Sequence, residues 1–170
     1  MFDISENEGF ELIKVGEYEA YVSEVTPPSN ISGKMVSNLS YTIRNDIEGQ
    51  EFGGRTIKFD YFSDADNMKW KISSLAKALG FFDNPETSKN VNGVKKLAFK
   101  SFEEFINACL NKPLKINVGQ DIYTDKKGEE KEKNTIEKYL PTEYADFTAP
   151  VVETAVMEDA GSEGLEELPF

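Results

Sequence analysis

The chain has 170 residues, of which 39% are hydrophobic and 29% are charged, a composition typical of one globular domain with an appendage. No apolar run approaches the roughly 18 residues that span a bilayer, so we expect no transmembrane segment and no membrane partner. Histidine is absent, and the single cysteine, Cys109, cannot form an internal disulfide. The first residues have neither a basic leader nor an apolar core, so we expect no secretory signal and a cytoplasmic location.

The charges are unevenly distributed along the chain. The whole carries 31 acidic and 19 basic residues, a net charge of −12, which argues against binding a polyanion. Residues 142–170 hold eight acids and no base, and residues 1–24 hold seven acids and one base, which leaves 16 acids and 18 bases over 25–141. The middle is therefore slightly basic between two acidic ends, a pattern that fits either solubilising ends or a division of function.

Three strands are predicted in the first half of the chain. Alternation of apolar and polar residues indicates half-buried strands over 15–25, near 38–44 and over 55–62. A polar loop separates the first two, and a turn rich in Asn, Asp and Gly separates the second and third. In the third strand the alternation places Ile57, Phe59 and Tyr61 on one face and Lys58, Asp60 and Phe62 on the other.

The period then changes to that of helices. Apolar residues over 68–79 recur at helical spacing, and a capping-box pattern at Ser101 opens a second helix that ends before Pro113. Alternation returns over 114–118 and 134–140, on either side of a charged loop. Five short strands with helices between the third and fourth is the order of an OB-fold. We therefore predict a mainly β chain of the α+β class, with an OB-fold-like five-stranded closed barrel that leaves no open edge.

The acidic C-terminal segment differs from the rest. It is rich in small and polar residues and contains Pro150 and two late glycines, so it cannot bury enough apolar surface to offset chain entropy. We expect an N-terminal extension over 1–14, the barrel over 15–141 and a disordered acidic tail over 142–170.

Catalysis has little support in the sequence. Nucleophilic triads lack their usual histidine base, and the chain has no glycine-rich phosphate loop, no dinucleotide-binding glycine motif and no CxxC pair. Cys109 lies on the apolar side of a predicted helix, as a core residue does. The acids show no metal-ligand spacing, so we expect no enzyme activity, no cofactor and no bound metal, with an Asp/Glu magnesium site as the alternative.

Binding of single-stranded nucleic acid has more support. Bases stack on aromatic rings for about 1–3 kcal/mol each while Arg and Lys follow the phosphates, and the second and third strands of an OB-fold are the usual contact surface. Four rings are expected to fill the barrel. The side chains at the alternate positions of the same strands then face outward, and they include both aromatic rings and cations. The rings expected inside are Tyr18, Tyr41, Phe59 and Tyr61, and the candidate DNA-binding residues are Tyr21, Arg44, Arg55, Lys58, Phe62, Lys115 and Tyr123.

The same features also have structural explanations. Most rings in a small barrel belong to its core, and Trp70 is expected to pack against another element. The loop 124–133 holds four lysines, which would extend the DNA-binding surface, but also four acids, so a solvated loop explains it equally well. The lysines are Lys126, Lys127, Lys131 and Lys133.

The last five residues, Glu166, Glu167, Leu168, Pro169 and Phe170, are similar to the C-terminus of bacterial single-stranded DNA-binding proteins, an acidic tail that ends in Ile-Pro-Phe. Leu168 stands in place of the Ile. Leucines and a terminal ring on an acidic tail do not suit a core and are typical of a docking peptide. The resemblance implies that this tip recruits partner proteins and that Phe170 enters an apolar pocket of the partner.

Four stretches of the body, at 16–20, 43–46, 50–55 and 75–80, resemble a phage family of early-region proteins, formerly a domain of unknown function and linked to single-stranded DNA. The family often has Gly before the lysine that precedes the fourth strand, where this chain has Asn111. The resemblance implies a non-catalytic protein that coats single-stranded DNA during phage replication or recombination and recruits a polymerase, helicase, primase or recombinase. An acidic interaction module or DNA-mimic inhibitor of a host protein and a carboxylate-metal nuclease stay as alternatives, and a homo-oligomer is left open.

Overall fold

The computed structural model describes residues 12–150. This part of the chain is mainly β, with two helices that both lie between β4 and β7, as predicted. The additional β2 and the small β5–β6 hairpin were not predicted. Neither helix has the length and apolarity needed to cross a bilayer within the described residues. The elements are β1 Gly16–Val25, β2 Ser29–Ile31, β3 Lys34–Ile43, β4 Thr56–Ser63, α1 Lys69–Ala78 after a 3₁₀ turn at Asp66–Met68, β5 Ser88–Val91, β6 Val94–Leu97, α2 Phe102–Cys109, β7 Pro113–Thr124 and β8 Glu130–Leu140.

One antiparallel sheet forms the body. Its strands run in the order β2–β3–β1–β7–β8, and β4 also pairs with β3. The central strand β1 pairs Tyr21 with Thr42 on one side and Tyr18 with Ile116 on the other. Within residues 12–150 no backbone ladder joins β4 to β8, so the sheet is open there, and the prediction of a closed barrel is wrong. We call this line the β4/β8 seam.

The core lies between the concave side of the sheet and the helices. Alternate residues of β1, β3 and β7 are fully buried, which explains the apolar periodicity of those segments. Helix α2 starts at Ser101, whose hydroxyl accepts a hydrogen bond from the Glu104 backbone N–H at 3.1 Å, so the capping prediction is confirmed. Cys109 is buried on this helix, and burial raises the pKa of its thiol, as suits a core residue.

The loop between β3 and β4 contains residues from 43–46 and 50–55, two of the stretches that resemble the phage family. Arg44 is buried and holds both carboxylate oxygens of Asp46 at 2.9 Å. The Gln50 side chain accepts from the Glu19 backbone N–H and donates to the carbonyl oxygens of Glu19 and Arg44. A Cβ on Gly53 would lie 2.8 Å from that of Asn45, so only glycine fits. These sequence motifs therefore specify a loop conformation.

Residues 142–150 pack against the body, although we predicted that the disordered tail starts at 142. The Glu143 backbone N–H donates to the Glu19 carboxylate at 3.1 Å, and the Tyr144 carbonyl accepts from Arg44 at 2.7 Å. The Phe147 ring lies 4.9 Å from the Tyr21 ring and 4.5 Å from the Arg44 guanidinium carbon. We call 142–150 the strap. The rest of the predicted tail, with the tip residues Glu166, Glu167, Leu168, Pro169 and Phe170, lies outside the described residues, as does most of the predicted N-terminal extension.

Candidate nucleic-acid interface

A β-bulge in β4 reverses the faces of that strand. Leu39 pairs with Asp60 and Tyr41 with Ile57, so two residues of β4, Lys58 and Phe59, oppose a single residue of β3. Phe59 takes a positive φ of 68°, which is a strained conformation for an aromatic residue. Beyond the bulge the parity is shifted by one residue. The β4 ring that we expected outside is therefore buried, and the two β4 rings that we expected inside are exposed.

The exposures show this reversal directly. Phe62 is fully buried, whereas Phe59 is 71% exposed and Tyr61 is 46% exposed. The prediction that Phe62 lies on an outer binding face is wrong, and so is the assignment of Phe59 and Tyr61 to the core. Tyr18 and Tyr41, the other two rings expected inside, are buried as predicted.

Side chains hold the β4/β8 seam together. The hydroxyls of Tyr41 and Tyr139 both donate to the Asp60 carboxylate, the former at 2.7 Å. The Lys71 ammonium of α1 lies 2.8 Å from the same carboxylate and donates to the Tyr61 carbonyl at 2.6 Å. Burial and the Asp60 charge raise the pKa of both tyrosines, so each stays a neutral hydrogen-bond donor. Asp60 thus joins β3, β4, β8 and α1 at one point.

The β7–β8 hairpin carries an aromatic ring and two lysines on one of its faces. Tyr123 pairs with Lys131, and Lys133 is two residues further along β8, so these three side chains share one face. The intervening acids Glu130 and Glu132 point to the opposite face. The Lys133 ammonium lies 5.3 Å from the centre of the Tyr123 ring. Asp121 pairs with Lys133 and so shares the face of the lysines, and Glu129 lies 3.5 Å from the Lys131 ammonium, so the lysines and acids of this hairpin are only partly separated in space.

A cleft of about 530 Å³ lies along the seam, between β4 and the base of the β7–β8 hairpin. Three exposed rings line it together with three lysines. Lys71 balances the charge of Asp60, so the other two lysines give the cleft a net positive charge. The cleft thus combines rings that bases can stack on with cations that phosphates can contact. The rings are Phe59, Tyr61 and Tyr123, and the lysines are Lys58, Lys71 and Lys133.

Only two of the seven candidate residues, Lys58 and Tyr123, line this cleft, and both are exposed. Arg55 stands at the start of β4 with its guanidinium 5.9 Å from the Phe52 ring, and is not among the lining residues of the cleft. Lys133 was among the loop lysines expected to extend the DNA-binding surface, whereas Phe59 and Tyr61 were assigned to the core and Lys71 was not considered. Phe59 and Tyr61 were missed because the bulge is invisible in the alternation.

The strap covers three further candidates. Phe147 lies against Tyr21 and over Arg44, as described above. Lys115 has a side chain only 17% exposed, and forms ion pairs with Glu143 of the strap and with Glu17. The hydrogen bond to Glu143 raises the pKa of Lys115. The expectation that Arg44 faces outward is wrong, and the strap is in contact with both Tyr21 and Lys115.

A second surface cleft, of about 500 Å³, has the opposite character. Glu17, Glu48 and Glu51 line it, and Lys115 is its single cation. This surface repels phosphates, so it does not compete with the seam cleft as a nucleic-acid site. In the described part of the chain, no group of three His, Cys, Asp or Glu residues is placed to hold a metal ion.

Residues 1–150 match the model of a family described as protein of unknown function (DUF669). The match includes the whole sheet, both helices and the strap. No curated protein matches the sequence.

Proposed function

We propose that this chain, which belongs to the DUF669 family of proteins of unknown function, binds single-stranded DNA in the seam cleft and catalyses no reaction. One observation carries the proposal: three exposed rings and a net positive charge converge on a single cleft from strands that are distant in sequence. Exposed rings are costly to keep in water, and clustering them beside lysines favours stacked bases with phosphates alongside.

The strand order also supports this role. Strands β1, β3, β4, β7 and β8 pair as the five strands of an OB-fold would, and the seam is the place where a partly open OB-fold barrel is not closed. In such folds oligonucleotides lie across the second and third strands, flanked by the loop between the fourth and fifth. Here those elements are β3, β4 and the β7–β8 loop; β4 forms one wall of the cleft, and the strands that carry the loop form the other.

Recognition in the cleft would depend little on base identity. Every base has a face that can stack, and the cationic groups, Lys58 and Lys133, contact the backbone and not the base edges. We therefore propose a protein that coats single strands in the cytoplasm of a phage-infected cell. The acidic tip, ending at Phe170, would recruit replication or recombination proteins.

The test compares a labelled poly-dT oligomer with a duplex of equal length, by fluorescence anisotropy at two salt concentrations. We expect tighter binding to the single strand and affinity that falls as salt rises. Tyr123→Ala is expected to weaken binding about 5- to 150-fold, the equivalent of one stacked base. Tyr144→Ala is the matched control, because Tyr144 is an exposed ring that lies outside the seam cleft.

Three results would contradict the proposal. Absence of binding to any oligomer would favour the acidic interaction module, and duplex bound as tightly as single strand would exclude stacking in the cleft. Magnesium-dependent cleavage of the oligomer would favour the nuclease. A deletion of residues 162–170 separates the two activities, since we expect DNA binding to be kept or tightened while partner binding is lost.

A further inference from the structure

Trp70 is the single tryptophan of the chain, and its place on α1 was expected to be a packing position. Its side chain is instead 66% exposed. A large ring held in water on a rigid helix is an unusual surface residue. It does not line the seam cleft, so the function proposed above does not account for it.

A recess of about 290 Å³ lies beside Trp70, between α1 and β8. Lys71 and Ile136 line both this recess and the seam cleft, so the two depressions adjoin each other. Lys138 also lines the recess and is exposed. The one acid there, Glu137, has its carboxylate turned onto the Thr135 hydroxyl at 2.8 Å.

We propose that Trp70 is a second stacking platform, which receives a base of a single strand that leaves the seam cleft past Lys71 and crosses α1. The arrangement repeats the chemistry of the cleft on a smaller scale, with one exposed ring beside Lys138, since the charge of Lys71 is balanced by Asp60. The inference rests on the proposed function, because the strand that reaches Trp70 is the one bound in the cleft.

Trp70 itself provides the assay, since it is the one indole of the full-length protein and can be excited at a wavelength that its seven tyrosines do not absorb. A dT series is titrated across the range of about 4–16 nucleotides that one OB-fold covers. We expect the longest oligomers to quench the emission and the shortest, which fill the cleft alone, to leave it unchanged. Anisotropy of the labelled oligomers reports binding at every length.

Trp70→Ala is expected to weaken binding of the longest oligomer about 5- to 150-fold and to leave the shortest unchanged, while Trp70→Phe keeps most of the affinity. Tyr144→Ala is expected to bind every length as the wild type does. Oligomers that bind without changing the emission, and with equal affinity for Trp70→Ala, would overturn this inference alone. Absence of any binding would overturn the proposed function as well. Emission that changes with protein concentration in the absence of DNA would assign Trp70 to contact with a second copy.

Discussion

Replacing Phe59 by glycine is expected to separate DNA binding from folding stability. The left-handed conformation at φ 68° costs a non-glycine residue about 1–2 kcal/mol, and Phe59→Gly removes this strain. Against this gain, the extra freedom of glycine in the unfolded chain costs about 0.5–1 kcal/mol. Burying a whole Phe side chain stabilises a fold by roughly 1.5–3 kcal/mol. The Phe59 ring is 71% exposed, so its removal loses only about a third of that hydrophobic stabilisation.

These contributions nearly cancel, so we expect the free energy of unfolding of Phe59→Gly to lie within about 1 kcal/mol of the wild type. The loss of one stacked base should weaken single-stranded DNA binding by about 1–3 kcal/mol. Phe62→Ala, three residues along the same strand but fully buried, should instead cost about 3–5 kcal/mol of stability.

Urea unfolding measures the first quantity, and anisotropy with a labelled dT oligomer measures the second. An unchanged dissociation constant for Phe59→Gly would show that the ring is not a stacking platform. A loss of several kcal/mol of stability would show that the ring is packed, and the account of the bulge would then fail.

Four further substitutions test other parts of the structure. Lys58→Ala and Lys133→Ala should each reduce the slope of log affinity against log salt by about 0.7, measured by titration at four salt concentrations, with Lys96→Ala on the separate hairpin unchanged. Tyr139→Phe should cost about 1.5–3 kcal/mol through the lost hydrogen bond to the seam carboxylate. The pKa of Tyr139 is raised in the folded state, so the contribution of this group to the free energy of unfolding is fully present below about pH 10. Above that pH the free energy of unfolding of the wild type falls by up to about 1.4 kcal/mol per pH unit for this group. Denaturation curves of Tyr139→Phe should lack this dependence on pH. Phe147→Ala should speed proteolysis of the strap while binding in the seam cleft stays unchanged, and a loss of cleft binding would contradict the separation of the two surfaces.

The strands that follow regular alternation could be predicted from the sequence. In β1, Tyr18, Ala20 and Val22 share a parity and are all buried, because nothing interrupts the pleat on their side. The cap at Ser101 was also predictable, since it depends on residues within one turn. Strand alternation and helix capping depend on residues that are close in sequence, so these features could be predicted without knowledge of the tertiary structure.

The face of β4 that carries the proposed site could not be predicted, because one residue in an unexpected conformation decides it. Nothing about an aromatic residue signals a left-handed φ, and alternation across the bulge at Phe59 assigns every later residue of β4 to the wrong face. Phe62 was therefore placed outside, and Tyr61 inside. Alternation in the sequence divides the residues of a strand between its two faces. Beyond a bulge it does not indicate which of the two faces points to the core.

The strap and Trp70 were missed for a different reason. The composition of residues 142–150 is acidic and small, and it contains no sign that Phe147 would meet Arg44 about a hundred positions earlier. Trp70 lies beside apolar residues at helical spacing, and only the tertiary arrangement shows that no element within residues 12–150 covers it. Such contacts depend on the tertiary arrangement and have no local signature.

The open seam also bears on how a groove can treat large and small bases alike. Hydrogen-bonded neighbours in a sheet are fixed about 4.8 Å apart, whereas β4 and β8 are tied through the Asp60 carboxylate and the tyrosine hydroxyls that reach it. A carboxylate accepts from several directions, so these strands can separate or approach by small rotations without breaking a backbone bond between them. If the seam cleft binds single strands as proposed, this freedom would let the opening adjust its width to purines and to pyrimidines.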